Sequence, residues 1–193
     1  MSMLSRLLRR PGDDPDGLAV EPMRKRHVDD VMPIERASYP KPWTAGTFTS
    51  ELEMAKRGER TYLVARRAGT LVGYAGMMYV VDDAHVTNIA VTPAEQRRGV
   101  ASRLLAELAW EALDRHSQAM TLEVRVTNTG AQELYRRFGF VPAGIRQRYY
   151  ENTDDAIVMW CNDIDSGAYR DELRVLCPAA ARTVPSRSDG GPR

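Results

Sequence analysis

The sequence predicts a mixed α/β (α+β) domain of about seven strands and about four helices. Three observations predict it. Short stretches of alternating polarity recur between segments with helical spacing of apolar residues. One of those helical segments carries an apolar stripe wide enough to cover a sheet. The chain of 193 residues, 43% apolar and 27% charged, is long enough for a full core without disulfides or a structural metal.

In chain order, residues 18–23 read as a strand. Residues 27–39 place Val28, Val31, Met32 and Ile34 at helical spacing, with Pro33 expected to bend the helix. Residues 44–55 form a second short helix with Phe48, Leu52 and Ala55 on one face. Strands 60–66 and 70–80 flank Ala68-Gly69, a hairpin turn, and strand 84–91 is stopped by Thr92-Pro93. Residues 102–115 give the clearest helix, with Leu104, Leu105, Leu108, Ala112 and Leu113 in one stripe. Met120, Leu122, Val124 and Val126 alternate as a strand. Residues 128–138 are helical through Ala131, Leu134, Tyr135 and Phe138, with Thr129 and Gln132 as a capping box. Strands 141–149 and 156–162 are joined by the polar loop 151–155. A last helix within 163–176 is anchored by Tyr169, Leu173 and Leu176. The domain therefore spans 18–163, with a helical extension over 164–177. Residues 1–17 and 178–193, poor in large apolar residues or broken by Pro and Gly, read as disordered tails.

Composition excludes several classes. Twenty-seven basic against 26 acidic residues leave a net charge of +1, without the basic excess of a nucleic-acid binder. The longest apolar run, 156–161, is too short to span a bilayer. The basic start of the chain meets Pro11-Gly12 before any apolar signal region forms. The expectation is a cytoplasmic protein with neither nucleic-acid nor membrane partner. Two cysteines, Cys161 and Cys177, and three scattered histidines, His27, His85 and His116, offer no metal set.

The segment from Asn88 to Ser102 carries most of the chemical information. It leaves a strand, turns at Pro93 and enters the best helix through Gln96-Arg97-Arg98-Gly99-Val100-Ala101-Ser102. The first turn of a helix has unpaired N–H groups and a positive dipole end, so an anion such as a pyrophosphate fits there. Arg97, Arg98 and Arg103 add positive charge. Read alone, Gly99 equally serves a tight strand-to-helix turn with solvated arginines. No Gly-Lys-Ser/Thr follows, so the loop is not a P-loop.

The order strand, Gln-Arg-Arg-Gly-Val-Ala, long helix, strand, then a short helix with Leu134-Tyr135-Arg136-Arg137-Phe138-Gly139-Phe140 resembles the GNAT superfamily of acyl-CoA-dependent N-acyltransferases. The resemblance covers about residues 19–162 and implies the GNAT fold with acetyl-CoA as co-substrate. Within that family, Tyr39-Pro40-Lys41-Pro42-Trp43, Asn88-Ile89-Ala90-Val91, Leu122-Glu123-Val124-Arg125-Val126-Thr127-Asn128, Arg146-Gln147-Arg148-Tyr149-Tyr150 and Asp154-Asp155-Ala156-Ile157-Val158-Met159 are similar to the bacterial branch that acetylates the N-terminal alanine of ribosomal protein S18. Ala101 stands where many relatives have glycine.

By that resemblance, Arg97, Arg98, Gly99, Val100, Ala101 and Ser102 hold the coenzyme A pyrophosphate. The backbone of Ile89, Ala90 and Val91 aligns the pantetheine arm, and Asn128 contacts coenzyme A. Glu123 falls on the catalytic base and Tyr135 on the acid that protonates the leaving thiolate. Each also has a plainer reading. Glu123 reads as a solvated or Arg125-paired carboxylate on the polar strand face, Tyr135 as a core aromatic, Ile89 to Val91 as a strand edge and Asn128 as a helix cap. His85, alternating with Thr87 and Ile89, reads as a packed or solvated histidine, with assistance to proton movement as the sharper reading. Trp43, Tyr149 and Tyr150 are candidates to line a peptide groove, and Glu151, Asp154 and Asp155 to meet a basic substrate. The expected activity is direct acetyl transfer to a protein N-terminus, with ribosomal protein S18 as partner and no activated Cys or Ser nucleophile. Broader N-terminal, lysine or small-amine acetylation, and a non-catalytic acyl-CoA-binding module, are the alternatives.

Overall fold

The computed structural model describes residues 17–180; of the expected tails 1–17 and 178–193, all but residues 17 and 178–180 lie outside the described residues. The strands are β1 (Leu18–Pro22), β2 (Arg60–Arg67), β3 (Thr70–Val80), β4 (Asp83–Val91), β5 (Ala119–Arg125), β6 (Val141–Tyr150) and β7 (Asp154–Cys161). The helices are α1 (Val28–Ser38), α2 (Ala45–Lys56), α3 (Val100–Asp114), α4 (Thr129–Arg137) and α5 (Gly167–Leu176). The seven strands form one sheet in the order β1-β2-β3-β4-β5-β7-β6. Helix α5 lies within residues 164–177, and a short 3-10 turn, Pro178–Ala180, follows it with Ala180 buried.

Alternation along the strands feeds two cores, one on each face of the sheet. Leu63 and Ala65 of β2 join Val72, Ala75 and Met77 of β3 beneath α3, while Tyr62 and Val64 join Leu71 and Tyr74 beneath α1 and α2. On α3, Leu104, Leu105, Leu108 and Leu113 are buried to 1% exposure or less, each burial worth about 1.5–3 kcal/mol. Helix α1 runs through Pro33 without ending there. The β2–β3 turn uses Ala68 and Gly69, both with positive φ, 48° and 82°, as the twist of a two-residue hairpin demands.

Local caps set the helix starts. The Thr44 side chain accepts the Thr47 N–H at 3.1 Å to begin α2. At α4 the expected capping box is replaced: Asn128 is the cap, accepting the Ala131 N–H at 3.1 Å. Gln132, buried, instead donates back to the carbonyls of Arg125 and Val126 at 3.1 and 2.9 Å. The Arg125 carbonyl also accepts the Asn128 N–H at 3.0 Å, so the Gln132 side chain ties the chain at and just past the end of β5 to α4 instead of closing a box.

The sheet opens between β4 and β5. β4 and β5 are parallel and pair only from Asp83↔Ala119 to Val86↔Leu122. Beyond that point β4 keeps β3 on its other edge, with a register shift at Gly76/Met77 that leaves Thr87 as an extra residue. Such a bulge bends and twists a strand, so β4 turns away from β5 and the sheet opens. Gly76 faces this bulge: a Cβ there would meet Tyr62 Cε1 at 2.3 Å, Asn88 Oδ1 at 2.4 Å and Thr87 Oγ1 at 2.8 Å. Tyr62 is buried and donates its hydroxyl to Glu51 at 2.8 Å, so its ring has little freedom to retreat.

Gly76→Ala is accordingly expected to destabilise the protein by about 1–3 kcal/mol, read as a lowered midpoint in urea unfolding. Stability equal to the unaltered chain would show that the bulge absorbs the methyl group.

Candidate active site

Where β4 leaves β5, its outer edge carries backbone groups with no strand to pair them, and buried backbone groups need partners. One is already served: Tyr39 donates its hydroxyl to the Ile89 carbonyl at 3.3 Å. The remainder of this edge opens into a groove of about 880 Å³. Its walls are β4, the segment from Gln96 into α3, and α4. Ile89, Val91, Arg97, Gly99, Val100, Ala101, Ser102 and Asn128 all line it, as does Tyr135. Ala90 turns its methyl group into the core under α1 and α2.

The loop that enters α3 is built for an open helix end. Arg97 and Gly99 have positive φ, 61° and 81°, and Gly99 is the N-cap. A glycine cap offers no side-chain acceptor, so the first-turn N–H groups of α3 face the groove unsatisfied by the chain's own cap. The left-handed backbone, rather than crowding, requires glycine there, since an added Cβ would meet nothing within 4 Å. Gln96 supports the turn from below, donating to the Val91 carbonyl at 3.3 Å.

Glu95 sorts the cations. It pairs with Arg67 of β2 and accepts from Arg98 at 2.7 Å, while Arg67 also donates to the Arg98 carbonyl at 3.1 Å. The Arg98 side chain thus lies outside the groove lining, 57% exposed. Arg97 reaches toward the start of α4, its Nη1 3.8 Å from where a Cβ of Gly130 would stand. Arg103 is buried and paired with Glu107 at 3.0 Å. Arg137, which the sequence reading passed over, joins the lining.

Glu123 sits at the point where β5 loses β4. Its side chain is 8% exposed and meets two partners: His85 Nε2 at 3.0 Å from Oε2, and Arg146 Nη1 at 2.9 Å from Oε1. The other ring nitrogen of His85 lies 2.7 Å from the Thr121 hydroxyl. Burial pushes the His85 imidazole below its ordinary 6.5, the Glu123 carboxylate opposes this and the Arg146 guanidinium adds to it. The imidazole is therefore neutral at pH 7, and because a carboxylate only accepts, the proton is assigned to Nε2 and the Thr121 hydroxyl donates to Nδ1. His85 is thus neither packed nor solvated at random but fixed between Glu123 and Thr121. The signal missed was cross-strand: Thr121 pairs with His85 in the β4–β5 ladder, and strand order is not written in local sequence.

Glu123 does not itself line the groove; tyrosines link it to Tyr135, which does. Tyr150 donates to the Glu123 carbonyl at 3.1 Å, and burial, with Tyr149 and Glu123, pushes its phenol up to about 12. Tyr135, partly buried, rests 6.0 Å from Phe140 between ring centres, and burial raises its phenol well above 10. Tyr39 is raised likewise, by burial first and then by Tyr135, Glu35 and Tyr150. All three phenols stay protonated at neutral pH.

The acids offered to a basic substrate are otherwise engaged. Arg125 holds Glu151 at 2.5 Å and Asp154 at 2.7 Å and stacks 4.2 Å from the Tyr150 ring, while Asp155 accepts the Arg148 N–H at 2.8 Å. The Tyr39-to-Trp43 turn is instead organised by Glu35, a buried carboxylate that accepts the Trp43 N–H at 2.7 Å and the Tyr74 hydroxyl. Trp43 packs on Phe48. Among the described residues, no group of three or more His, Cys, Asp or Glu is placed to hold a metal ion, and no helix is long and apolar enough to cross a membrane.

The sequence profile of the acetyltransferase (GNAT) family matches residues 28–140. The chain is 39% identical over 131 residues to the [ribosomal protein bS18]-alanine N-acetyltransferase of Escherichia coli (strain K12), covering 65% of this chain and 84% of that protein. It is 41% identical over 113 residues to the N-alpha-acetyltransferase RimI of Mycobacterium tuberculosis, covering 56% of this chain and 68% of that one. The crystal structure of the ribosomal-protein-S18-alanine N-acetyltransferase from Escherichia coli superposes with a TM-score of 0.69 at 29% identity, over 78% of this chain and 96% of that one.

His27 is buried and, like the partly buried His85, lowered from 6.5, burial outweighing the Glu21 carboxylate. A histidine whose pKa is depressed by folding leaves the native state short of protons relative to the unfolded chain. Stability is then full above about pH 6.5 and falls as the pH drops toward the folded pKa. NMR titration of the imidazole resonances should give midpoints below 6.5 for both residues, and His85→Gln should flatten part of the acid-side loss of stability. A His85 midpoint above 6.5 would mean that Glu123 dominates burial.

Proposed function

The chain belongs to the acetyltransferase (GNAT) family and is an N-acetyltransferase; from that premise we propose that it transfers the acetyl group of acetyl-CoA to the α-amino group at a protein N-terminus. The N-terminal alanine of ribosomal protein S18 is the substrate its named relatives point to. The observation that carries the reading is a convergence at the parting of β4 and β5. There a groove lined by an open helix end and a protonated phenol runs along β4, and the end of β5 holds a carboxylate flanked by an imidazole and a guanidinium.

The groove fits acetyl-CoA by its chemistry. The α3 N-terminus with Arg97 suits a diphosphate, and the free edge of β4 at Ile89 to Val91 suits the amide-bearing pantetheine arm. Acetyl-CoA supplies the activated acetyl group as a thioester. An N-terminal ammonium has to lose a proton before its nitrogen attacks the thioester carbon, and Glu123 takes that proton directly or through one water. His85 holds Glu123 from one side through Nε2–H, with Arg146 on the other, so the carboxylate keeps its orientation when the proton arrives. As the carbon–sulfur bond breaks, the Tyr135 phenol donates its proton to the departing thiolate. Both substrates are bound together, and the amine attacks directly.

Acetyl transfer to short peptides differing at the first residue tests this, with internal-lysine peptides and free amines as controls. Rapid transfer to Ala-initiated peptides is expected. Glu123→Gln should lower kcat about 10²–10⁴-fold and Tyr135→Phe by about 10²-fold, each with little change in the KM for acetyl-CoA. Activity confined to lysine or free amines would overturn the substrate, and unchanged kcat in both variants would overturn the assigned roles.

A further inference from the structure

The part of the chain beyond the family match contributes to the groove. Helix α5 is capped by Ser166, whose hydroxyl accepts the Tyr169 N–H at 3.2 Å. It is anchored by the fully buried Leu173 and by Tyr169, which donates to the Phe138 carbonyl at 3.4 Å. Arg174 lies over the Trp110 ring of α3, 5.7 Å from its centre. The chain then passes through Cys177 into the turn Pro178–Ala180, which packs on α3. This route brings Leu176, Cys177, Pro178 and Ala179 into the lining of the same groove as Gly99 and Arg137.

Acyl-CoA is longer than the part of the groove assigned so far. Its acyl end belongs beside Ile89 and Tyr135 and its diphosphate at the start of α3, which leaves the adenosine with its 3′-phosphate to be placed. The lining not yet used includes a largely apolar wall at 176–179, the cation of Arg137 and, one turn before it on α4, the carboxylate of Glu133. The wall and the cation suit a flat base beside a phosphate. Resting on the acyl-CoA reading above, we infer that residues 176–179 contact the 3′-phosphoadenosine end of acyl-CoA, which makes the C-terminal extension part of the co-substrate site. The anchoring by Leu173, Tyr169 and Arg174 holds the wall in place before the ligand arrives, and a preformed wall lowers the ordering cost of binding.

Ala179 is only partly buried and follows the helix, so charge is introduced there with little disturbance of the core. Calorimetric titration of the full chain with CoA and with 3′-dephospho-CoA compares Ala179→Asp with Ala179→Lys. Ala179→Asp is expected to weaken CoA binding about tenfold, and Ala179→Lys to tighten it, with the contrast shrinking several-fold for dephospho-CoA and with added salt. Equal loss in both variants, or no change in either, would overturn the inference while leaving acyl-CoA in the groove. Failure of the unaltered chain to bind either ligand would instead overturn the acyl-CoA reading on which it rests. A second pair, Leu176→Ser against the exposed Val175→Ser, reads the apolar contact: only Leu176→Ser should raise the KM for acetyl-CoA relative to that for acetyl-pantetheine. An equal rise for both thioesters would mean that Leu176 acts on folding alone.

Discussion

The interruption of one parallel strand pair is the constraint on which the rest of the molecule depends. β4 and β5 pair over four positions and then separate, because Thr87 adds a residue against β3 while Gly76 makes room for it. A sheet opened in this way exposes backbone groups in the interior, and an exposed interior edge is costly unless something pairs with it. Tyr39 meets one carbonyl, Gln132 closes the end of β5, and the remaining edge lines the groove. The two cores on either face of the sheet keep the strands rigid on both sides of the gap.

Charges around the gap are arranged in compact groups. Glu95 is shared by Arg67 and Arg98, Arg125 by Glu151 and Asp154, and Glu123 by Arg146 and His85. Each group fixes one boundary of the site: the loop into α3, the β6–β7 hairpin, and the end of β5. Many of these pairs are partly exposed and contribute modestly to stability. Their effect is positional, since a guanidinium shared between a carboxylate and a carbonyl has few ways to move.

Much of the fold was legible in the sequence because it rests on local signals. The α3 stripe, the Ala68-Gly69 turn, the alternation in β5 and the tight turn at Gly99 into α3 follow from spacing and turn chemistry. The relations between elements were not. That β7 inserts between β5 and β6 has no local signature, so neither Arg146 nor Tyr150 was placed beside Glu123 in advance. His85 was ambiguous for the same reason, its meaning lying in a partner on another strand. Asp154 and Glu151 read as available acids only because their cation, Arg125, is distant in sequence. Gln132 was read as half of a capping box because the pattern is correct, but tertiary demand at the end of β5 claimed the side chain first. Glu35 drew no notice, since a carboxylate on a helix is ordinarily solvated.

The strand order also has a bearing on how the protein comes into being. β5 carries Glu123 and ends up covered by β7, yet β7 is made only after α4 and β6 have been added to the growing chain. Until then β5, with Met120, Leu122 and Val124, has one uncovered edge of the kind that invites pairing with another chain. The hairpin of β6 and β7 has to form and dock as a unit, and contacts so far apart in sequence are slow to assemble. The Glu123 carboxylate is therefore among the last groups to reach its neighbours during biosynthesis, and a chain cut short before Asp154 would have the loop into α3 without the strand that pairs with Glu123.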